Sequence, residues 1–389
     1  MRRLSSLLTC CVLLLVATTA SAANELRGTW TSSVREKSSP DSVHINLVHP
    51  DKEDGGQGQL GFTEPRASFQ GLSTADGPST FTLTREAGVL SFTGTFQGGE
   101  GAGHYTFAPS EAYAKAMAAL GYANLTPREQ FQFAATHLTT QRVKELAALG
   151  YKEIPREQLL TVAIFKVSAE YVRELAKVGY EKLTLEQLVQ GRIHGVTAQR
   201  AKDLAVSGFP KLSWEDLLAM SIHGVTPEYI REVNAMGYRG LDAEKIVAFR
   251  IHGITTQFAR EMSGLGFKDL DADELVAMRI HGVSTASVKE MRELGFKDLD
   301  SDDFVAMRIH GVTTPFVKEM RELGFKEITQ EELVSFRIHG VTPEFVKKLR
   351  DAGYKNITPE ELVRLRIHGI DETFMRSMSG GGKDGKGGK

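Results

Sequence analysis

Seven histidines stand 29 residues apart in this chain: His194, His223, His252, His281, His310, His339 and His368, each inside an Ile-His-Gly triplet. Arginines keep the same step two residues ahead, at Arg192, Arg250, Arg279, Arg308, Arg337 and Arg366, with Ser221 in the gap. Imidazole is a common zinc ligand, and guanidinium binds phosphates and carboxylates. Such rows could hold metal ions or contact an anionic partner. Spacing weighs against the metal. Equivalent atoms of neighbouring repeats lie roughly 9 Å apart, one helix-packing distance, whereas two imidazoles on one zinc need nitrogens within about 4 Å. The histidine row therefore reads as structural, each ring at a helix C-terminus where it bonds free carbonyls or the next repeat. The arginines either pair with acidic residues of neighbouring repeats, such as Glu332 or Glu361, or meet a partner's anionic groups. No metal or cofactor is expected.

Rows of this kind need a repeated scaffold, and a second mark supplies it. A glycine–aromatic pair recurs at Gly121-Tyr122, Gly150-Tyr151, Gly179-Tyr180, Gly208-Phe209, Gly237-Tyr238, Gly266-Phe267, Gly295-Phe296, Gly324-Phe325 and Gly353-Tyr354, with no insertion. A fixed period is the signature of a solenoid or another array. Two helices are legible in the unit Thr342 to Ile370. Thr342 caps the first, Pro343 takes its first position, and Phe345, Val346, Leu349 and Ala352 form an apolar stripe. Gly353 ends it with a left-handed cap. Thr358 and Glu361 make a capping box for the second helix, and Leu362, Val363, Leu365 and Ile367 are expected to bury a broad face. Ser or Thr fills the first cap in all nine units, from Ser110 to Thr342. Pro155 is the misfit among the second caps, and an irregular second helix is expected after it. A lone unit cannot bury its stripe; stacked units bury one another's. The first two units carry Ala135-Thr136-His137 and Ile164-Phe165-Lys166 in place of the triplet.

Ahead of the repeats the period changes to two. Phe81, Leu83 and Arg85 alternate with threonines, Glu86-Ala87-Gly88 reads as a turn, and Val89 to Phe96 runs back. Gly103 to Phe107 follows a glycine-rich stretch, Gly98 to Gly103, and Trp30, Ile45, Leu47, Leu60 and Phe62 fit earlier strands. Alternation broken by glycine turns predicts antiparallel strands with one buried face. An antiparallel sandwich or small, partly closed barrel of about six to eight strands is expected. Its histidines, His44, His49 and His104, read as surface residues rather than as a metal site.

The rest of the chain narrows the function classes. Arg2 and Arg3, an apolar run to Val16, and Ala20-Ser21-Ala22 read as a secretion signal. The two cysteines, Cys10 and Cys11, lie inside it, so a mature chain has no disulfide and no thiolate. No later apolar segment is long enough to cross a bilayer. A net charge of −2 over 389 residues argues against a general nucleic-acid binder. HExxH, GxSxG, phosphate-loop and dinucleotide signatures are absent. The expected division is a signal peptide over 1–22, an antiparallel β domain over 23–109, an α-solenoid of nine two-helix repeats plus a partial tenth over 110–378, and a flexible Gly/Lys tail over 379–389.

The phrases Arg337-Ile338-His339-Gly340-Val341-Thr342-Pro343-Glu344-Phe345 and Gly353-Tyr354-Lys355-Asn356-Ile357-Thr358 resemble the helical repeats appended to bacterial membrane metallopeptidases of the β-lactam-sensing antirepressor type. Gly99 to Phe107 resembles the β segment that often precedes them. The peptidase's zinc helix and membrane segments are not in this chain. The resemblance implies an extracytoplasmic sensing or docking module and transfers no catalytic residue. Together these readings point to a non-enzymatic, exported, periplasmic or extracellular scaffold for protein or peptide partners. Its specificity would be written at the less regular positions, Ala286-Ser287, Thr314-Pro315 and Arg350-Asp351. The alternative is carbohydrate or small-ligand binding by the β domain. Oligomeric state is not legible.

Overall fold

The computed structural model describes residues 26–33, 41–50, 57–370 and 374. The expected signal peptide and Gly/Lys tail lie outside these residues. The described chain forms an antiparallel sheet of seven strands followed by eighteen helices. It divides into two compact units between Ile193 and His194.

The first unit opens with β1 (Leu26–Ser33), β2 (Ser42–Pro50), β3 (Gln57–Pro65), β4 (Phe69–Gln70), β5 (Gly77–Arg85), β6 (Gly88–Gln97) and β7 (Glu100–Pro109). They form one curled sheet in the order β3-β2-β1-β7-β6-β5-β4. The sheet is open, a half-barrel, not two packed layers. The inner face buries Trp30 among Phe81, Phe92 and Phe96, with ring centroids 5.3 to 6.0 Å apart. The indole Nε1 donates to the Thr93 carbonyl at 3.1 Å. Gly101 and Gly103, of the glycine-rich stretch, are strand residues of β7. A Cβ on Gly101 would press into Trp30 and Phe96, and one on Gly103 into the Thr93 carbonyl, so glycine makes room for the indole.

Six helices complete this unit: α1 (Glu111–Ala118), α2 (Pro127–Ala135), α3 (Thr140–Ala148), α4 (Arg156–Ile164), α5 (Ala169–Ala176) and α6 (Leu185–Ile193). Helix α2 packs on β1, β3, β6 and β7. Its Phe131 stacks on Tyr105 at 5.6 Å and meets Phe107 and His49 edge-on. The first repeat thus fills the hollow of the sheet. Glu86, in the β5–β6 turn, accepts hydrogen bonds from the Thr140 amide (2.9 Å) and hydroxyl (2.5 Å) at the start of α3. Pro155 does not disturb α4, which has nine residues, as many as the second helices α2 and α6; the missing feature is the side-chain cap bond.

The second unit holds α7 (Ala198–Val206), α8 (Trp214–Ile222), α9 (Pro227–Ala235), α10 (Ala243–Ile251), α11 (Thr256–Gly264), α12 (Ala272–Ile280), α13 (Thr285–Glu293), α14 (Ser301–Ile309), α15 (Thr314–Glu322), α16 (Gln330–Ile338), α17 (Pro343–Asp351) and α18 (Pro359–Ile367). Nine-residue helices are too short to persist alone. Packing holds them in two rows: α8, α10, α12, α14, α16 and α18 contact in succession, as do α11, α13, α15 and α17. Caps set the boundaries. Thr342 accepts from the Phe345 amide at 3.2 Å, and Thr358 and Glu361 close a reciprocal box. Among the described residues no helix is long and apolar enough to cross a membrane.

Candidate functional site

Each second helix of the later repeats ends in Ile-His-Gly, and the glycine turns the chain. Gly311, at φ +69°, lets the Val312 amide reach back to the Met307 carbonyl at 2.8 Å. His310 is the residue before, capping α14 with φ −90°. The turn exposes or half-exposes all seven imidazoles. What the next repeat takes from these residues is a backbone oxygen. Arg279 Nε donates to the His252 carbonyl at 3.0 Å, Arg337 to His310 at 3.2 Å and Arg366 to His339 at 3.3 Å. In the first unit Arg192 does the same to Phe165 at 3.0 Å.

The same guanidiniums lie over aromatic rings of the first helices. Arg192 stands over Tyr171 and Arg250 over Tyr229 at 4.9 Å, Arg279 over Phe258 at 4.8 Å, Arg337 over Phe316 at 5.1 Å and Arg366 over Phe345 at 5.0 Å. Arg192, Arg279, Arg337 and Arg366 thus each join a ring 21 residues before them to a carbonyl of the preceding repeat. The carboxylates expected to pair with them are engaged elsewhere: Glu332 and Glu361 bond the amides of Thr329 and Thr358, both at 2.9 Å. Burial pushes the phenols of Tyr171 and Tyr229 up to about 12.

A second arginine series escaped the sequence reading. Arg292 lies over Phe267 at 5.1 Å, Arg321 over Phe296 at 5.1 Å and Arg350 over Phe325 at 5.9 Å. These rings belong to the glycine–aromatic pairs. In three units where that aromatic is tyrosine, its hydroxyl bonds a carbonyl 32 residues on: Tyr122 to Ile154 at 3.0 Å, Tyr151 to Leu183 at 2.7 Å and Tyr238 to Leu270 at 3.1 Å. The 25-residue offset from each of these phenylalanines to its arginine was a signal open to reading.

Two rungs break the first pattern. Where Ser221 replaces the arginine, Arg200 stands in for the aromatic of α7 and fills the place from the other side. It donates to the Ser221 hydroxyl at 2.8 Å, the Met220 carbonyl at 3.2 Å and the Val225 carbonyl at 2.9 Å. At the other exception the aromatic of α13 is Ser287, while Arg308 is kept. Nothing compensates there, and a cavity of about 150 Å³ lies beside Arg308.

The largest departure from expectation concerns isoleucine. Ile367 was expected to be buried and is 58% exposed. Its equivalents Ile222, Ile251, Ile280, Ile309 and Ile338 are 48 to 54% exposed, on helices packed side by side. Ala135, the equivalent residue in α2, is 2% exposed. The position carries alanine where it is covered and isoleucine where it faces solvent, the reverse of what folding alone favours.

The sheet separates its histidines. His49 is buried against Phe131 on the inner face, not on the surface. His44 bonds the Thr63 hydroxyl at 2.9 Å and the Asn46 side chain at 3.0 Å, and His104 is exposed. Among the described residues no three His, Cys, Asp or Glu side chains are grouped to hold a metal ion. Neither a protein-family model nor a curated protein matches this chain.

Proposed function

We propose that this chain is a non-catalytic, exported binding scaffold, whose helical repeats form an α-solenoid that docks a protein or peptide. The observation that carries this reading is the exposed isoleucine row on α8 to α18. Scattered exposed apolar residues are ordinary, but a row at one repeated position is a surface. Except at Ile222, which follows Ser221, each isoleucine sits between the arginine and the histidine of its own turn, which gives an apolar anchor with polar and cationic edges. Export and an envelope-sensing role rest on the leader-like start and on the resemblance to antirepressor-type extensions. The test is capture of cross-linked partners from an envelope extract by the full chain and by an Ile280→Ser, Ile309→Ser, Ile338→Ser variant. Capture by the parent that the variant loses supports the scaffold. Identical capture by both, or none by either, rejects the isoleucine row.

A second reading is favoured by one feature of the sheet. A polar cleft of about 630 Å³ opens beside Thr31, Ser33, Asn46, Thr95, Gln97 and Glu100. Its hydroxyls and amides suit a carbohydrate or another small polar ligand. Glycan binding abolished by Asn46→Ala, Gln97→Ala would establish it; glycan binding indifferent to that pair would remove it.

A further inference from the structure

The geometry points to an aromatic-ring socket at Ser287, a site that takes one phenyl or phenolic ring from outside the chain. Five arginines of the row, Arg192, Arg250, Arg279, Arg337 and Arg366, have a ring of their own repeat beneath them. Arg308 keeps the same stance without one. Its Nη2 lies 3.3 Å from where a Cβ on Gly282 would stand, as Arg279 lies 3.3 Å from that of Gly253. The ring's place is open because Ser287 is too short to fill it, and its hydroxyl turns back to cap α13, bonding the Ser284 amide at 3.0 Å and carbonyl at 2.8 Å.

The hole has the size and lining of what is missing. It measures about 150 Å³ and is walled by Met291, Phe304, Met307, Val312 and Pro315, with Arg308 at its side. A cavity of about 150 Å³ is known to hold one benzene ring in a protein interior. In the repeat before, Phe258 fills the equivalent place, and two repeats before, Tyr229 does so with a hydroxyl that donates to the Ile254 carbonyl at 3.2 Å. The equivalent acceptor in the socket is the carbonyl of Val312, 25 residues beyond Ser287. A phenol entering ring-first would therefore meet an arginine on its face and a carbonyl at its hydroxyl. Two sources share that chemistry: a free phenolic molecule, or the tyrosine side chain of a partner polypeptide. The socket binds a free phenol whether or not the repeats dock a partner chain, so its failure leaves the scaffold reading standing.

The experiment is fluorine NMR of 4-fluorophenol with the full chain. Binding is expected in the millimolar range, as suits a fragment of this size, and N-acetyl-tyrosinamide should displace the probe. Cyclohexanol, with the same bulk and no π face, should compete at least about threefold less well. Ser287→Phe should abolish binding by supplying the ring in place, while raising the melting temperature. Ser287→Ala should leave binding intact, and Arg308→Gln should weaken it by about two- to fivefold. Tighter binding of a glycine-flanked tyrosine peptide than of the free phenol would assign the socket to a polypeptide; the reverse order would assign it to a small molecule. No binding by the parent chain, equal competition by cyclohexanol, or undiminished binding by a folded Ser287→Phe variant would overturn the socket.

Discussion

In the first unit the core is built once. Trp30 is held by three phenylalanines, a carbonyl and glycines placed so that the indole fits, and no other part of the unit repeats this set. In the second unit the core is built many times from one rung: a ring, an arginine 21 residues later and a carbonyl of the repeat before. A unique core gives each residue one irreplaceable neighbourhood. A repeated core spreads stability over like interfaces and also supplies its own controls. A missing aromatic in a lone domain would be unremarkable, whereas at Ser287 five other repeats show what the position usually holds.

The strongest test of this contrast is Trp30→Ala. Removing a large buried aromatic costs about 3–5 kcal/mol, and with no second copy to share the loss the first unit should open. Hydrogen exchange read separately over the two units should show protection lost in β1, β6 and β7 and kept in α10 to α16. Equal loss in both would mean that the two cores are one cooperative system.

Next comes the swapped rung. Ser221→Arg should bring a second guanidinium against Arg200 and cost about 1–2 kcal/mol through crowding and like charge. Adding Arg200→Phe recreates the common rung and should recover most of that loss. Urea denaturation of the two single variants and the double closes the cycle. Contacting residues couple by about 0.5–3 kcal/mol; simple additivity would show that the two exceptions at 200 and 221 are unrelated.

A smaller effect is expected from one cap. Thr342→Ala removes the acceptor of the Phe345 amide and should cost about 1 kcal/mol. The second unit's urea midpoint should move and the first unit's should not. A shift in both would break the distinction between local and shared stability.

Much of this was open to reading before the structure. Every first cap from Ser110 to Thr342 bonds the amide predicted for it, because capping depends on residues three apart. The strands followed from alternation, but closure did not: whether β3 and β4 meet depends on curvature, and the hollow is filled by Phe131 from a repeat 24 residues beyond Phe107. The arginine partners were misjudged because opposite charge is the obvious match for a cation, whereas a ring and a carbonyl lay at the right place. Ile367 was misjudged because helical periodicity identifies an apolar face without saying that something covers it. The cavity at Ser287 follows from sequence alone only once the 21-residue pairing of ring and arginine is known.

The smallest expected effect tests the junction where the unique core meets the first repeat. His137 occupies the place that glycine takes in later triplets and accepts its left-handed backbone, at φ +55°. Burial and the Arg85 guanidinium, helped by Arg142, hold its pKa below the usual 6.5, while Glu64 and Glu86 pull the other way. A folded-state pKa below the unfolded value means that the unfolded chain takes up the proton first. Stability from this group is therefore present above about pH 6.5, falls as pH drops through that value, and stops falling below the folded pKa. His137 is exposed, so solvent keeps the effect small. His137→Asn removes the titration and keeps a residue that tolerates the left-handed conformation. Melting of the first unit at pH 7.5 and 5.0 should show a smaller acid-induced drop in the variant than in the parent, with the second unit alike in both. An unchanged drop would show that the acid sensitivity of the junction does not come from His137.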